Sequence, residues 1–518
     1  MKLDFATYKD KVMGCWAGKN IGGVLGAPFE CYRQLNNVEF YTQDLSNGPP
    51  PNDDLDLQLI WLSAVERYGR QVNASILGEY WLSYIIPNWV EYGIAKSNMV
   101  AGLRPPLSGH YKNQYRNSCG CFIRSEIWAC LAPGHPEIAV RYAYEDGIVD
   151  HSGEGVYGEI FCAALQSAAF VESDTRKLID IGLSYIPKDS AVARSVHAAI
   201  KCYDEKVPLA EARKIIHNTA PGTFGVLGRR ISDMPTEDGT MALGEAGFDC
   251  PDSIGYTIAG WLYGEGDFGK SLCAAVNCGE DTDCTAATLG AILGIVSGAS
   301  KLPEKWTAPL NDKIATMCIN KTSGGIWVPD TVTQLTDRVL RVTPAFLGVD
   351  ICDLFAEGGY TIDCLDADKL ACPEDDFMPS HAATPWPRGL SVRELVALEP
   401  YVVRHAFPTH TVLVDYGDDI YFDDEPRRIK LSVINADIMK QQMWCTVKAY
   451  VPENVYLTGG DSFKLHLNNL YGEKGETVLE LDASDYCGAE IELLIDISHV
   501  GRHTSSPIKI VLLRRPVK

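Results

Sequence analysis

The chain has little positive charge, and this shortage excludes several kinds of partner. Its 518 residues include 46 lysine and arginine residues against 68 aspartate and glutamate residues, which gives a formal net charge of −22. A surface of that sign repels nucleic acids and anionic membranes, so we expect neither as a partner. A local basic site for one phosphorylated small molecule is still compatible with this charge.

The sequence also lacks the features of export and membrane insertion. Residues 1–4 open no apolar signal region, and the longest uncharged apolar run, residues 284–300, is too short and too rich in small residues for a membrane span. The 17 cysteines are odd in number and contain no Cys-x-x-Cys pair. Free buried thiols in a reducing compartment fit this pattern, and we therefore expect a cytoplasmic protein.

Strand-like alternation is scarce in the first 355 residues, where helical patterns dominate. These patterns cover residues 55–68, 76–86, 136–146, 155–171, 191–203, 209–218, 256–263, 269–277, 285–299 and 330–343. Residues 1–355 are therefore predicted to form one large all-α domain. Residues 356–398 are acidic and contain several prolines, which favours a linker.

The last part of the chain, residues 399–518, has the opposite character. Short β-rich runs separated by turn residues occupy 411–414, 429–434, 444–451, 463–467, 478–481, 491–495 and 508–513. About seven such strands predict a small all-β sandwich. The protein is thus expected to be multidomain, with a helical domain followed by a β-sandwich.

Glycines recur at one-turn spacing in two distant segments. One row is Gly14, Gly18, Gly22 and Gly26, and the other is Gly290, Gly294 and Gly298. Each glycine inside a helix costs about 1 kcal/mol relative to alanine, so such helices need close tertiary packing. Both rows predict buried helices that approach a neighbour closely.

Two short acidic clusters carry the strongest functional signal. The first acidic cluster, Asn52-Asp53-Asp54, follows a proline run, and the second acidic cluster, Asp281-Thr282-Asp283, follows a glycine; each begins an apolar, helix-like run. One cluster alone is explained by helix capping and the helix dipole. Two carboxylates at each junction exceed that need, and four together would require a hard divalent cation such as Mg²⁺, Mn²⁺ or Ca²⁺.

Residues 264–271 match the phosphate-loop pattern G-x-x-x-x-G-K-S. A functional phosphate loop follows a buried strand and directs its amides at anionic oxygens. Here the preceding segment is helix-like, and Glu265 and Asp267 would repel phosphate. The motif is therefore predicted to be a turn between two helices.

Several motifs, taken in their order along the chain, resemble the ADP-ribosylglycohydrolase family. They are the first glycine row ending in Gly26-Ala27-Pro28-Phe29-Glu30, the first acidic cluster, residues 120–124, Asp150-His151, the second acidic cluster followed by Ala286, Ala287 and Gly290, and Leu302-Pro303 before Trp306. The resemblance covers about residues 8–306. It implies an all-α domain that holds two divalent ions, usually Mg²⁺ or Mn²⁺, in a cleft where an ADP-ribosyl group is hydrolysed from its acceptor.

The resemblance also implies roles for individual residues. The implied metal ligands are Asn52, Asp53, Asp54, Asp281 and Asp283. Glu30 matches an acidic residue at the cleft, and a catalytic base is expected among Glu30, Asp54 and Asp283. The expected substrate-binding residues are Gly120, Arg124, His151, Gly153 and Tyr157, although a histidine before a glycine-rich turn is often structural.

Three positions depart from the family pattern and leave the substrate open. Asn52 and Cys284 replace threonines, and Gly23 replaces an aspartate; Asn52 still offers a carbonyl oxygen, whereas Cys284 is a poor ligand for a hard ion. The main expectation is cleavage of an N- or O-glycosidic ADP-ribosyl bond in a small-molecule or ADP-ribosylated substrate. Two alternatives are an N- or O-glycosidase for nucleosides or small glycosides, and a non-catalytic relative that binds a nucleotide sugar or serves a structural role. The β-sandwich is compatible with carbohydrate binding or with assembly into a homo-oligomer.

Overall fold

A computed structural model describes residues 1–219, 236–237, 241–242, 244–245, 248–321, 326–373, 390–435, 442–468 and 474–516. In these parts, contacts divide the chain into a helical unit, residues 1–97 and 108–373, and a β unit, residues 98–107 and 390–516. None of the helices in the described ranges is both long enough and apolar enough to cross a membrane.

Helices dominate the first unit, as predicted. They are α1 (Phe5–Gly26), α2 (Asp53–Tyr68), α3 (Ala74–Tyr84), α4 (Val90–Val100), α5 (Leu107–His110), α6 (Glu126–Leu131), α7 (Pro136–Gly147), α8 (Glu154–Ala168), α9 (Thr175–Ser184), α10 (Ala191–Asp204), α11 (Leu209–Thr219), α12 (Cys250–Tyr263), α13 (Phe268–Asn277), α14 (Thr282–Ser297), α15 (Glu304–Thr307) and α16 (Val332–Leu347). Every helix predicted from the sequence has a counterpart among them.

Short strands accompany these helices. They are β1 (Lys2–Leu3), β2 (Tyr32–Arg33), β3 (Thr236–Glu237), β4 (Met241–Ala242), β5 (Gly244–Glu245), β6 (Cys352–Asp353) and β7 (Thr361–Asp363). Strand β7 lies between β1 and β6 in one small sheet, and Ile362 and Leu370 are fully buried. The first part of the predicted linker is therefore folded into the helical unit, while its residues 374–389 lie outside the described residues.

The two glycine rows pack against each other. A Cβ atom added at Gly18 would lie 1.9 Å from the carbonyl oxygen of Gly290, and one added at Gly22 would lie 2.0 Å from that of Ala286. The partners run in opposite directions along the chain, so α1 and α14 are antiparallel with their backbones in contact. Gly298 does not belong to this contact row, because α14 ends at Ser297 and Gly298 caps it with φ +81°. The packing brings the end of α1 to the beginning of α14.

The phosphate-loop lookalike is a turn between helices, as predicted. Helix α12 ends at Tyr263, and Asp267 caps α13 by accepting a hydrogen bond from the Lys270 amide at 2.7 Å. The amide of Glu265 donates to Leu262 and that of Asp267 donates to Gly264. The amides of Glu265, Asp267 and Lys270 are thus used within the helix ends.

The β unit contains two five-stranded sheets. Its elements are α17 (Val392–Val396), β8 (Val402–Ala406), β9 (His410–Asp415), β10 (Tyr421–Phe422), β11 (Arg427–Asn435), β12 (Met443–Tyr450), β13 (Tyr456–Leu457), β14 (Ser462–Leu467), β15 (Lys474–Asp482), β16 (Glu490–His499) and β17 (Ser506–Arg514). The strand orders are β10-β17-β16-β12-β14 and β13-β15-β11-β9-β8.

The core of the β unit follows from strand alternation. Alternate residues of β12 and β16 are buried, as expected for sheets with one face against a core. His410 of one sheet and His499 of the other bring their ring nitrogens within 3.0 Å. All seven predicted strands are present, and the sequence reading missed β8 and the two-residue strands β10 and β13.

Candidate metal centre

Asn52 joins the two acidic clusters. It caps α2, where its Oδ1 accepts a hydrogen bond from the Asp54 amide at 2.7 Å, and its Nδ2 donates to Asp283 Oδ2 at 3.0 Å. One side chain therefore joins the starts of α2 and α14, although Asn52 and Asp283 lie 231 residues apart in the sequence. The predicted convergence of the two clusters is present in the structure.

The segment after α1 brings Glu30 to the same place. Tyr32 pairs with Glu280, whose amide donates to the Tyr32 carbonyl at 2.9 Å, and Arg33 forms a buried ion pair with the Glu280 carboxylate. Glu280 holds a left-handed backbone conformation, φ +67°, which is uncommon outside glycine and is stabilised here by these contacts. We call Glu30, Asp53, Asp54, Asp281 and Asp283 together the acidic centre.

Ligand atoms of Glu30, Asp54, Asp281 and Asp283 lie close enough to share a cation, whereas Asp53 is in none of the groups found among the described residues. Three groups of residues each offer one ligand atom apiece within 4.8 Å of one another: Glu30 with Asp281 and Asp283, Asp54 with Asp283 and Cys284, and Cys119 with Asp281 and Cys284. Asp281 and Asp283 each belong to two of these groups. Because Asp281, Asp283 and Cys284 are each shared by two groups, the three groups form one continuous cluster of ligand atoms.

The buried carboxylate oxygens lack donors of their own. Asp54, Asp281 and Asp283 are at most 3% exposed. Both oxygens of Asp54 and the Oδ1 atoms of Asp281 and Asp283 receive no N–H or O–H hydrogen bond from any residue that the structure describes. Burying a carboxylate without a partner costs free energy, and carboxylate oxygens of this kind are the ligands that hard divalent cations prefer.

The pKa values of the acidic centre reflect the burial and the proximity of its carboxylates. The Asp283 carboxylate, together with burial, raises the pKa of Glu30 to about 8. Burial and then Asp283 raise the pKa of Asp53 to about 6 and that of Asp54 well above its usual range. Burial and the neighbouring Cys119 likewise raise the pKa of Asp281. The centre thus has a deficit of positive charge.

One internal cation offsets part of that deficit. Lys19 of α1 is 1% exposed, and its Nζ donates to Glu126 Oε1 at 3.1 Å. Burial alone would lower the pKa of Lys19, but Glu126 and Asp54 outweigh burial and raise it, so the side chain carries its charge. The other oxygen of Glu126 accepts from Gln58 of α2 at 2.9 Å. Lys19 therefore lies near Asp54 while its ammonium group donates to Glu126.

Sequence comparison places the chain among known proteins. A sequence model described as ADP-ribosylglycohydrolase matches residues 4–345, about two thirds of the chain. The chain belongs to the ADP-ribosylglycohydrolase family. Members of this family are generally hydrolases and generally use divalent metals.

Two similar proteins add little detail. An uncharacterized protein of Archaeoglobus fulgidus is 23% identical over 316 residues, which cover 59% of this chain and 93% of that protein. A solved structure titled ADP-ribosylglycohydrolase-related protein complex shares 16% identity, covers 66% of this chain and 99% of its own, and has a TM-score of 0.42.

Arg124, expected to bind substrate, is used inside the ADP-ribosylglycohydrolase fold. Its side chain is fully buried, and it donates to Asp146 Oδ1 at 2.8 Å, to the Gly120 carbonyl at 2.9 Å and to both oxygens of Asp150. Trp128 completes this arrangement by donating to Asp146 Oδ2 at 2.9 Å. Four of the five N–H donors of Arg124 are used in these contacts, and its role in substrate binding stays a prediction.

The other expected substrate residues occupy different environments. His151 is fully buried, with Nε2 2.8 Å from Ser118 Oγ and Nδ1 3.0 Å from Asp150 Oδ1. Gly120 is buried, and a Cβ atom added there would lie 2.3 Å from Glu91 Oε1. Gly153 and Tyr157, at the start of α8, are half-buried. His151 contacts Ser118, whose neighbour Cys119 donates to Asp281 of the acidic centre. Substrate contact by Gly120, His151, Gly153 and Tyr157 stays a prediction.

Sequence reasoning missed two residues of the centre. Cys119 donates to Asp281 Oδ2 at 2.7 Å, and Lys19 sits beside Asp54. Cys119 is one of 17 cysteines, and nothing in its local sequence distinguishes it. Lys19 carried a usable signal, because a lysine inside a glycine row that must be buried needs a buried acidic partner.

Proposed function

We propose that this protein is a divalent-metal-dependent glycohydrolase that cleaves an N- or O-glycosidic ADP-ribosyl bond. The observation that carries the proposal is the convergence of the two acidic clusters, with buried carboxylate oxygens that lack donors. Family membership supports the class of reaction. The proposed ions are Mg²⁺ or Mn²⁺, two in number, held by Asn52, Asp53, Asp54, Asp281 and Asp283.

Hydrolysis at an anomeric carbon passes through an oxocarbenium-like state and needs an activated water. When bound, divalent cations supply positive charge to the carboxylates and lower the pKa of water. Glu30 is the residue we propose as the base, because it is half-buried at the edge of the centre and can exchange a proton with solvent. Asp54 and Asp283 are almost fully buried, which suits them to holding cations.

One feature favours a second candidate, an N- or O-glycosidase for nucleosides or small glycosides. Gly23 stands where the family commonly has an aspartate, and a Cβ atom at this position would lie 3.4 Å from Asn52 Nδ2 and from Asp54 Oδ2. The family's carboxylate is thus missing beside the first acidic cluster. Without that carboxylate, the site has one negative charge fewer beside the proposed cations, which changes the substrate groups that it can bind there.

A hydrolysis panel tests both candidates. The substrates are ADP-ribosyl-arginine, ADP-ribosyl-serine, O-acetyl-ADP-ribose, nucleosides and aryl glycosides, each with Mg²⁺, with Mn²⁺ and with a chelator. Release of ADP-ribose from the first three, abolished by the chelator, is the expected result. Activity restricted to nucleosides or aryl glycosides would replace the main proposal with the second candidate. Absence of all turnover, with Asp283→Asn indistinguishable from wild type in metal binding, would favour a non-catalytic relative.

A further inference from the structure

Two thiols reach the acidic centre from distant parts of the chain. Cys284 occupies the first turn of α14 directly after Asp283, and Cys119 precedes the buried segment that ends in Arg124. The two sulfur atoms and an oxygen of Asp281 lie within 4.8 Å of one another, and all three residues are buried. The structure therefore joins two thiols and one carboxylate in a single cluster.

The position of Cys119 is fixed by its backbone. Its amide donates to the Phe248 carbonyl at 2.8 Å, and the preceding Ser118 pairs with Asp249 and contacts His151 Nε2 at 2.8 Å. Cys119 Sγ is directed at Asp281 Oδ2, 2.7 Å away. The backbone pairing of Ser118 and Cys119 and the hydrogen bond from Cys119 Sγ thus hold the thiol next to Asp281.

A second observation indicates that this cluster accommodates a ligand. Asp281 is 2% exposed, and its Oδ1 accepts no hydrogen bond from the described residues. Asp54 has the Cys284 thiol as a neighbour, and neither of its oxygens accepts an N–H or O–H hydrogen bond from the described residues. Buried oxygens in this state fit a cation, and the adjacent sulfur atoms determine which cation fits.

We propose that Cys119, Asp281 and Cys284 form a thiol-containing cation subsite that prefers Zn²⁺ or a similar borderline cation to Mg²⁺. It lies beside the all-oxygen group of Glu30, Asp281 and Asp283, with Asp281 common to both. Thiolate sulfur selects Zn²⁺, whereas carboxylate oxygen suits Mg²⁺ and Mn²⁺. The two thiols release their protons to solvent when the cation binds. This inference rests on the metal dependence in the proposed function and changes the identity of one of its ions.

Cobalt provides a direct test, because Co²⁺ bound by thiolate gives an intense near-ultraviolet charge-transfer absorption. The full-length protein is reduced with a phosphine, stripped with a chelator and titrated with Co²⁺, followed by displacement with Zn²⁺, Mn²⁺ or Mg²⁺. We expect the thiolate absorption to appear with Co²⁺, to be removed by Zn²⁺, and to resist Mg²⁺. Cobalt binding without this absorption in the wild-type protein would overturn the proposal, whatever the variants do.

Three variants locate the sulfur ligands. Cys284→Thr introduces the hydroxyl that the family usually carries, Cys119→Ser removes the second thiol, and Cys202→Ser changes a buried thiol of α10 outside the centre. We expect Cys284→Thr and Cys119→Ser to weaken Zn²⁺ binding at least about 10- to 100-fold, the loss caused by removing even a supporting group around a metal. Cys202→Ser should leave it unchanged. Equal Zn²⁺ affinity in all three variants would contradict the proposal.

The results separate this inference from the proposed function. Hydrolysis of ADP-ribosyl substrates with Mn²⁺, unaffected by either site variant and without a thiolate spectrum, would retain the function and reject the thiol subsite. A thiolate spectrum lost in both site variants, without turnover on any ADP-ribosyl substrate, would retain the subsite and reject the function.

Discussion

Two groups of buried carboxylates in the helical unit differ in their partners: Asp146 with Asp150, and Asp54 with Asp281 and Asp283 of the acidic centre. Around Arg124, the carboxylates of Asp146 and Asp150 accept hydrogen bonds from the guanidinium and from Trp128. Arg124 and His151 outweigh burial and lower the pKa of Asp150, whereas burial outweighs Arg124 at Asp146 and raises its pKa to about 6. In the acidic centre, burial and Asp283 raise the pKa of Asp54 well above its usual range. The first cluster contains its own cation, which donates to both carboxylates, and is complete in this sense, whereas the second is short of positive charge.

The contrast separates structure from function. A buried ion pair with all its donors satisfied contributes to a defined fold and needs nothing from outside. Carboxylates that repel one another in the folded state reduce stability, and such an arrangement is typical of sites that bind a cation or perform chemistry. The four predictions below test this difference, beginning with the largest expected effect.

Removing the cation of the complete cluster should be severe. In Arg124→Leu, Asp146 and Asp150 are left buried without their partner, so we expect a loss of about 3–5 kcal/mol in the free energy of unfolding, measured with urea. Arg176→Leu is the control, because Arg176 pairs with Asp204 at the surface and such pairs contribute about 1 kcal/mol or less. Equal losses in the two variants would show that the Arg124 cluster is not the structural element inferred here.

Removing a charge from the incomplete cluster should have the opposite effect on stability. In Asp283→Asn, we expect turnover to fall at least about 100-fold, while the metal-free protein keeps or exceeds wild-type thermal stability because repulsion is reduced. The gain in melting temperature on adding Mg²⁺ or Mn²⁺ should shrink, since it follows metal affinity.

Asp174→Asn provides the matched control, because Asp174 caps α9 away from the centre and accepts from the Lys177 amide at 3.0 Å. Asparagine caps helices about as well as aspartate, so this variant should behave like wild type in every assay. If Asp283→Asn matched it, with unchanged turnover and metal response, Asp283 would be a helix cap and the metal centre would be rejected.

The metal-free protein should lose stability as pH rises. The folded pKa values of Glu30, about 8, and Asp53, about 6, exceed ordinary values near 4.5 and 3.8, so the folded state binds these protons more tightly. The resulting stabilisation is complete below about pH 4 and is lost as pH rises through 6 and then 8, by at most about 1.4 kcal/mol per pH unit for each group.

Unfolding experiments in chelator from pH 5 to 9 measure this slope. Glu30→Gln should flatten it between pH 6 and 8, because the titrating group is gone. Saturating Mn²⁺ should also flatten it, since the cation replaces the protons. A steeper decline in Glu30→Gln than in wild type would contradict the assignment.

The smallest effect is expected at the phosphate-loop lookalike. Lys270 is exposed at the start of α13, so Lys270→Ala should change the free energy of unfolding by no more than about 0.5 kcal/mol and leave turnover unchanged. ATP binding, measured by calorimetry, should be absent in both proteins. A clear ATP affinity that disappears in Lys270→Ala would establish the motif as a nucleotide site.

The sequence by itself determined the two-part architecture and the two helices that begin at the acidic clusters. Helical periodicity and strand alternation are local properties, so most of the long helices and the main strands of the β unit could be predicted, whereas α4, α6 and α9 were missed. The extended part of residues 356–373 was not predicted, because Ile362 pairs with Leu3, which is distant in sequence.

Only the tertiary structure decided what meets at the centre. The spacing of the glycines predicted close packing, but the pairing of Gly18 with Gly290 depends on the fold of the intervening chain. The carboxylates were visible in the sequence as helix starts, whereas the thiol of Cys119 and the ammonium of Lys19 were not visible as their neighbours. Local sequence sets which side chains can bind a cation, and long-range packing sets which of them lie within one ion's reach, because that distance is fixed by contacts between residues hundreds of positions apart.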